Sequence, residues 1–511
     1  MFLATSFTQL VLSGLIISTS YFLWSYFNSP LKRIPGPFLA KFTNLWRLWD
    51  VYGGRAELTH QLLHQKYGQA VRIGPNVVSL SDTKLIPTIY SRKEEFLKSN
   101  FYNVNDSKVG NATIKNVFSV QCHEAHAQML RPIQKFYNMG HILKLEGNVD
   151  DAIKDLLKRL DELFIDGSNA GTVCKIDDWM MFYSWDLIAQ VTFSRPMGFM
   201  ETAHDYQGLI HMAEQTLDYF AVISQMPGLD HWLGKNPIGS FGFPNLAKAA
   251  QWCAEQSMAR QQGTDGKSTD QKDMLDSFIE IKETNPEAMD ENGVVRSLLI
   301  NVLAGADTTA IVLRSIVYFT LKNPRVYKRL IRELDSANLS IPVRYQDAVK
   351  LPYLEAVVKE ASRIHCGVGL VLERIVPAGG LALSDGTVLP PGTIVGMNPW
   401  VTNFDKKIFG EDASSFVPER WLRYDDLETE EEYKSRLSMM NKADLTFGAG
   451  NRICLGRHIS KFSICKLIPT LFLTYDIHLV DAEKEWHVQN SWFVRQSGIE
   501  VKIQKRKTVA L

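Results

Sequence analysis

The stretch that decides the fold is FGAGNRICLG, Phe447–Gly456, near the C-terminal end of the chain. It places a single cysteine, Cys454, between glycines and two residues after an arginine. Glycine permits backbone conformations and close approaches that other residues do not. The pattern predicts a tight loop that presents the Cys454 sulfur, and the rest of the chain must show what that sulfur does.

Five roles are open for the Cys454 side chain at this point: a buried hydrophobic residue, half of a disulfide, a zinc ligand, a nucleophile or a haem ligand. The six cysteines of the chain are scattered without a CxxC pair, which argues against a disulfide framework. His458 follows four residues later, but no further ligands with zinc spacing are visible. Gly448 and Gly450 lack the third glycine of a dinucleotide-binding loop. A Cys–His–Asn hydrolase is left open, although nothing in the sequence supports one.

The composition of the 511-residue chain fits a folded protein with a large core. Hydrophobic residues make up 45% and charged residues 22%, so general disorder is not expected. The net charge is zero and no basic surface is clustered, so we expect no nucleic-acid partner. Helical periodicity dominates, while strand patterns such as AVRIGPNVVSLSD (70–82) are short. The predicted fold is mainly α with a minor β portion, forming one catalytic body over residues 41–511.

The first 31 residues carry no charged side chain and predict a membrane anchor. Their apolar run of roughly 20 residues is long enough to span a bilayer as a helix. Lys32 and Arg33 follow at once, which favours a cytosolic location for that flank. A cleaved signal peptide would show a basic start and a small-residue cleavage site, and neither is clear. Residues 32–40, with Ile34-Pro35-Gly36-Pro37, predict a stiff hinge.

The strongest helix pattern runs from Asp290 to Lys322, with apolar residues at three- and four-residue steps until Asn323-Pro324 ends it. The middle of this pattern is AGADTTA, residues 304–310, which is unusual for a buried helix. A threonine bonded to the preceding turn and an aspartate in water would explain one such residue. The cluster of Gly305, Asp307 and Thr308 predicts instead a widened groove that holds a ligand and water.

Two further motifs precede the cysteine loop in a fixed order. KEASR places Glu360 and Arg363 three residues apart, on one helix face. FVPERW then supplies Arg420 in a proline-containing loop. With AGADTT before them and FGAGNRICLG after them, these motifs resemble those of the cytochrome P450 family across essentially the whole chain. The chain is similar to membrane-bound fungal members of secondary metabolism, including relatives of pisatin demethylase.

The resemblance implies a P450 fold with an N-terminal transmembrane helix and haem b as the cofactor. It implies that Cys454 is the axial thiolate, shielded by Phe447, with Gly450 letting the backbone approach the iron. Arg452 and Arg374 match the family's propionate-pairing positions. His126 matches another, although Cys122 stands where the family usually has a tryptophan. Glu360, Arg363 and Arg420 match a structural network.

The same resemblance implies the chemistry. Asp307 and Thr308 would deliver protons during dioxygen activation. The expected reaction is hydroxylation or successive oxidation of a hydrophobic natural product, for which a terpenoid is favoured over a polyketide or an aromatic compound. Electrons would come from NADPH through a membrane-bound P450 reductase, with cytochrome b5 as a second donor. The enzyme would sit in the endoplasmic reticulum membrane, in contact with lipid and with its catalytic domain cytosolic. A reductase-independent isomerase or dehydratase, or a haem sensor without catalysis, are the alternatives.

Overall fold

The structure is a computed structural model that describes residues 27–91, 95–109, 112–166, 170–236, 247–267, 271–424 and 427–506, with a few positions between 9 and 22. Long helices dominate, as the sequence predicts. Those of eight or more residues are Leu45–Tyr52 (α1), Ala56–Tyr67 (α2), His123–Leu130 (α3), Glu146–Leu160 (α4), Ile176–Phe193 (α5), Leu209–Ile223 (α6), Ala247–Gln261 (α7), Met274–Thr284 (α8), Glu291–Lys322 (α9), Pro324–Ser336 (α10), Pro352–Ile364 (α11), Glu430–Ala443 (α12) and Arg457–Thr474 (α13).

The strands are short and form small sheets. They are Ala70–Gly74 (β1), Val77–Leu80 (β2), Ser107–Val109 (β3), Ala112–Ile114 (β4), Cys174–Lys175 (β5), Arg374–Ile375 (β6), Leu381–Ala382 (β7), Val388–Leu389 (β8), Ile394–Gly396 (β9), Tyr475–Leu479 (β10), His487–Ser491 (β11), Phe493–Ser497 (β12) and Glu500–Lys505 (β13). The largest sheet has the order β1-β2-β9-β6, with β2 and β9 parallel and the other pairs antiparallel. The strands predicted at 70–82 are β1 and β2.

Helix α9 is the centre of the core, and its ends fall where the sequence predicts. Asp290 caps the first turn by accepting a hydrogen bond from the Gly293 N–H at 2.7 Å, and Asn323 ends the helix before Pro324. Its apolar faces pack chiefly against α5 and also against α11 and α13. Each fully buried leucine or isoleucine there contributes roughly 1.5–3 kcal/mol by leaving water.

Gly305 has a packing role that the sequence analysis missed. A Cβ atom at this position would lie 2.9 Å from Cδ1 of Ile188 on α5. The glycine therefore lets two central helices approach closely, and this approach offsets the roughly 1 kcal/mol by which glycine weakens a helix. Gly305 therefore serves the packing of α9 on α5, while the groove predicted for the whole cluster with Asp307 and Thr308 stays a prediction.

The N-terminal predictions meet the structure only in part. Most of the predicted anchor, residues 1–31, lies outside the described residues. Within the described part, α9 is the helix long and apolar enough to cross a membrane, and 72% of its most apolar window is buried inside the protein. The predicted hinge packs against β1, because the Pro35 carbonyl accepts a hydrogen bond from the Arg72 N–H at 2.7 Å and Ile34 is buried.

Candidate active site

The cysteine loop is held by its own backbone and by the segment around Tyr90. The Cys454 N–H donates to the Phe447 carbonyl at 2.8 Å, which closes the loop around a short turn at Gly450–Arg452. Gly450 has φ +66°, and a Cβ atom there would lie 1.8 Å from the Tyr90 carbonyl oxygen. Glycine is therefore required at this position by its contact with Tyr90, which is a different reason from the predicted approach to iron.

The sulfur of Cys454 lies at the N-terminal end of α13. The N–H groups of Gly456 and Arg457 and the charge of Arg457 act to lower the pKa of the thiol, as expected at a helix N-terminus. Burial is the larger effect, so the pKa of the Cys454 thiol stays above its ordinary value. The helix end alone does not hold a thiolate here, whereas coordination to a metal ion would.

Cys454 faces an internal space. The residue is accessible although burial dominates its pKa, so its accessible surface belongs to a space inside the protein. Ala304 is exposed in the middle of α9, between buried turns, and Thr308 one turn later is half-buried. A Cβ atom on Gly367 would meet no other atom within 4 Å among the described residues.

Tyr137 links the two walls of this space. Its hydroxyl donates to Oδ1 of Asn301 on α9 at 3.3 Å, and the negative charge of Cys454 adds to the burial that raises the pKa of Tyr137. The central helix and the cysteine loop are therefore near neighbours. No sequence motif points to Tyr137, which lies at the end of the short 3₁₀ helix Gln134–Tyr137.

Four basic side chains come together beside the loop, and we call Lys98, His126, Arg374 and Arg452 the basic cluster. Arg452 donates to the carbonyls of Val120 and Gln121 at 2.9 and 3.1 Å, which ties the cysteine loop to the start of α3. His126 is buried on α3. Lys98 and Arg374 are bridge partners on adjacent backbone segments. The structure thus brings together all three predicted cations and adds Lys98.

The electrostatics of the basic cluster fit the carboxylates of a haem. Burial, Arg374 and Arg452 lower the pKa of Lys98 well below its ordinary value. Burial, Arg452 and Lys98 lower the pKa of His126 to about 3. Among the described residues, no carboxylate lies within salt-bridge distance of Lys98 or Arg374. Two propionates would supply the negative charge that such a buried cluster requires, so these residues fit the group.

Thr308 and Asp307 differ in their surroundings. The Thr308 hydroxyl donates to the Ala304 carbonyl at 2.7 Å, the ordinary bond of a helical threonine, and its oxygen remains able to accept. Asp307 is 1% exposed and does not point to water. Its Oδ1 has no hydrogen-bond partner among the described residues.

The carboxyl of Asp307 titrates near neutrality. Burial raises its pKa to about 7, opposed mainly by the charge of Arg495 on β12. Glu214 on α6 raises the pKa further, while Arg314 and Trp185 lower it. Arg495 in turn donates to Asp218 at 2.5 Å and lies 3.6 Å from Glu214. A buried carboxyl with this pKa exchanges its proton readily at physiological pH.

The predicted Glu-Arg-Arg network is present and closed, and its geometry excludes the alternative of a surface ion pair. Arg363 contacts Glu360 at 2.7 Å and Arg420 contacts it at 2.8 Å, and all three are buried. Glu360 also accepts from the Trp421 indole at 2.8 Å and from the Val417 N–H at 2.9 Å. This network holds α11 to the loop before the cysteine motif.

The segment 366–372 contains both open and tightly packed positions. Gly367 faces open space among the described residues. A Cβ atom on Gly369, however, would lie 2.5 Å from the Asn490 amide, and Val371 packs into the core beneath β1. These two residues are needed for packing rather than for a wide pocket.

Three known proteins that are similar to this chain all belong to one family. The sequence profile of the family described as Cytochrome P450 matches residues 35–503. Cytochrome P450 monooxygenase cfoH of Aspergillus candidus is 37% identical over 97% of this chain and 93% of its own length. Cytochrome P450 monooxygenase cicH of Emericella nidulans is 37% identical over 94% of this chain and 95% of its own length. Cytochrome P450 monooxygenase vrtE of Penicillium aethiopicum is 32% identical over 99% of this chain and 96% of its own length.

Proposed function

Because the chain belongs to the cytochrome P450 family, and is therefore a monooxygenase that binds haem b through a cysteine thiolate, we propose that it oxidises a hydrophobic natural product in fungal secondary metabolism. The aromatic rings beside the basic cluster support a hydrophobic substrate: Lys98 lies over the buried Tyr102 ring and the half-buried Phe118 ring at 4.2 and 4.5 Å. Hydroxylation in one or several rounds fits such a site.

We assign Cys454 as the thiolate ligand and His126, Arg374 and Arg452 as the propionate contacts, together with Lys98. The observation that carries this assignment is the accessible sulfur of Cys454 facing an internal space, with a buried basic cluster beside the same loop. When bound, the haem supplies dioxygen activation and insertion of one oxygen atom into the substrate. Phe447 closes the loop above Cys454 and limits water at the sulfur.

The protein's own residues would move the protons. Thr308 offers a hydroxyl oxygen as the acceptor for a water in the internal space, while its own O–H group donates to the Ala304 carbonyl. Asp307 takes up a proton from the side of Arg495 and passes it inward, because its pKa of about 7 allows both uptake and release near neutral pH. A positioned proton donor of this kind contributes typically about 10²–10⁴-fold to rate.

Electrons are proposed to come from NADPH through a membrane-bound P450 reductase, with cytochrome b5 as a second donor. Support comes from the surface outside the cysteine loop, where Arg457 donates to the Cys454 carbonyl at 3.1 Å and Lys461 is 44% exposed. Cations there would attract an acidic partner. We further propose a single anchor in residues 1–31, followed by the segment 32–40, with the catalytic domain on the cytosolic side of the endoplasmic reticulum.

The assignment of Cys454 is tested by Cys454→Ala in the full-length protein. We expect the variant to lose the ferrous carbon monoxide spectrum that is typical of thiolate ligation, because no other cysteine lies at the loop. Cys465→Ala is the matched control, since Cys465 is buried on α13, the helix that begins just after Cys454, and should leave that spectrum unchanged. A Cys454→Ala protein that keeps the spectrum would refute the assignment.

A further inference from the structure

A cavity lies between residues 135–144 and helix α8, and we call it the lateral cavity. Its volume is about 360 Å³, within the range of about 300–1,000 Å³ that is usual for small-molecule pockets. The buried side chains of Phe136 and Ile281 form the apolar part of its lining. Among the described residues that line it, none is assigned to the haem or to proton transfer, so the lateral cavity is separate from the candidate active site.

Three polar side chains come from each wall of the lateral cavity. Residues 135–144 contribute Lys135, His141 and Lys144, and α8 contributes Ser277, Glu280 and Thr284.

The two walls are joined to each other. The Phe136 ring lies 6.1 Å from the Phe278 ring on α8 and 5.0 Å from the His141 ring, measured between centroids, and both contacts are edge-to-face. The side-chain amide of Gln271 donates to the Lys144 carbonyl. The lateral cavity is therefore held open by the fold, and a ligand would not have to assemble its walls on binding.

The lysines of the first wall have no carboxylate partners. Among the described residues, no Asp or Glu lies within salt-bridge distance of Lys135 or Lys144. Burial and the charges of Lys144 and Lys135 lower the pKa of the His141 imidazole, so both lysine charges act on one ring. Nε2 of His141 is buried and has no hydrogen-bond partner in the described part of the chain. An anion among these three side chains would compensate the lysine charges.

The second wall carries one charge, and a lysine already compensates it. Glu280 pairs with Lys272 at 2.9 Å. The hydrogen bond and charge of Lys272 lower the pKa of Glu280, and Lys135 adds to this effect more weakly. The charges of Lys135, Lys144 and Lys272 minus that of Glu280 give a net charge of +2 around the lateral cavity. An anion is therefore attracted and a cation is repelled.

The hydroxyl groups of the second wall can accept hydrogen bonds. The Ser277 hydroxyl donates to the Asp273 carbonyl at 2.9 Å, and the Thr284 hydroxyl donates to the Glu280 carbonyl at 2.7 Å. Their oxygens, like the Glu280 carboxylate, remain acceptors for donors on a ligand. The lateral cavity thus has a wall of donors that faces a wall of acceptors.

A phosphate ester matches these two walls better than a carboxylate does. A phosphate monoester carries a charge of about −1.5 to −2 at neutral pH and three strong acceptor oxygens. Three oxygens can accept from Lys135, Lys144 and His141 together, whereas a carboxylate has two oxygens and a single charge. The space beyond the phosphate adjoins the wall of acceptors, which suits a body with hydroxyl groups.

We propose that the lateral cavity binds a small phosphate ester whose body carries hydroxyl groups. The phosphate lies at Lys135, His141 and Lys144, and the hydroxyl groups point towards Ser277 and Glu280. This site is independent of the haem and of the substrate that the enzyme oxidises. A soluble sugar phosphate and the inositol phosphate headgroup of a lipid share this chemistry.

The proposal is tested by isothermal titration calorimetry with the full-length holoprotein. Glucose 6-phosphate is compared with glucose, and inositol 4-phosphate is compared with inositol. Each phosphate ester should bind at least about tenfold more tightly than its parent sugar or inositol, because its bonds to the cavity are charge-assisted. The tighter of the two phosphate esters distinguishes a soluble ligand from a lipid headgroup, and added salt should weaken both.

A double variant, Lys135→Gln with Lys144→Gln, locates the binding site. We expect the affinity of the variant for the tighter phosphate ester to fall at least about tenfold. Both lysines are exposed, so the variant should fold and keep the ferrous carbon monoxide spectrum of the wild type. Lys66→Gln with Lys442→Gln is the matched control, because it removes the same charge at exposed positions elsewhere and should leave the affinity unchanged.

Three results would overturn the proposal. One is that neither phosphate ester binds the wild-type protein, and another is that each binds no more tightly than its unphosphorylated parent; neither comparison needs a variant to fold. The third is an equal loss of affinity, or none, in the Lys135→Gln, Lys144→Gln variant and in the matched control, because binding would then depend on net charge or on another site.

Discussion

Two buried groups of cations in this protein differ in the groups that they contact. Arg363 and Arg420 both contact one carboxylate, Glu360, and their remaining N–H groups donate to backbone carbonyls such as those of Asn403 and Ala413. Lys98 and Arg374, in the basic cluster, contact carbonyls, a hydroxyl and aromatic rings instead. A closed network stabilises the fold, whereas buried cations such as Lys98 and Arg374, which have no carboxylate at salt-bridge distance in the described part of the chain, are suited to an external anion.

The largest loss of stability is expected from a change in the closed network of Glu360, Arg363 and Arg420. Glu360→Gln keeps the shape of the side chain but leaves Arg363 and Arg420 as buried charges without compensation. We expect a loss of about 3–5 kcal/mol in the free energy of unfolding. Urea unfolding measures this loss, and haem content should fall with the folded fraction.

Glu355→Gln is the matched control for that experiment, because Glu355 lies on the same helix, α11, and pairs with Lys359 and Lys461 at the surface. We expect it to cost about 1 kcal/mol or less. Similar losses in the free energy of unfolding for Glu355→Gln and Glu360→Gln would contradict the conclusion that burial makes the Glu360 network important for stability.

Asp307 is a buried carboxyl whose charge Arg495 compensates only in part. Its pKa in the folded protein is about 7 against an ordinary value of 3.8. The folded state therefore holds this proton more tightly than the unfolded chain, and the resulting stability is present at low pH and lost as pH rises through 7. Above pH 7 the ionised carboxyl should cost the folded state on the order of 4 kcal/mol.

Asp307→Asn removes this titration. The free energy of unfolding of the variant should rise relative to the wild type between pH 4 and pH 8, as measured by urea unfolding at a series of pH values. Asp335→Asn, at an exposed position, should follow the wild type at every pH. A pH-independent difference between Asp307→Asn and the wild type would contradict the raised pKa.

The smallest effect on folding is expected in the basic cluster. Lys98→Met removes a cation whose buried charge is unfavourable in the protein alone, so the secondary structure should persist. Haem binding should weaken by about 1.5–3 kcal/mol, the value of a hydrogen bond to a charged group. Haem dissociation therefore becomes at least about tenfold faster.

Circular dichroism and the rate of haem transfer to an excess of apomyoglobin measure the two quantities for Lys98→Met separately. Lys66→Met, at an exposed lysine over the Tyr67 ring, is the control and should change neither. Unchanged haem dissociation in Lys98→Met would remove Lys98 from the site.

Local sequence patterns were sufficient for the elements whose chemistry is contained in one segment. The bounds of α9 follow from an aspartate cap, helical spacing and a proline stop, all within 34 residues of each other in the chain. The cysteine loop follows from glycines at φ +69° and +66° beside an arginine and a cysteine. These features depend on short-range sterics and hydrogen bonding, which neighbouring residues determine.

The structure was needed wherever residues far apart in the chain meet. Lys98 is a lone lysine in its segment and becomes part of the basic cluster only because its backbone bridges to Arg374. Gly305 and Gly450 were recognised as special, but their partners, Ile188 and Tyr90, come from other elements. A pattern shows that a small residue is required and does not show which neighbour requires it.

The sequence by itself therefore determined the family, the central helix, the cysteine loop and the Glu-Arg-Arg network, because motif spacing and residue type carry that information. Only the tertiary structure decided how Lys98 joins Arg374 in the basic cluster and which neighbours require glycine at positions 305 and 450. Burial, orphaned hydrogen-bonding atoms and ring orientation arise from packing between distant segments. Substrate selection depends on those properties, and the spacing of residues along the chain does not contain them.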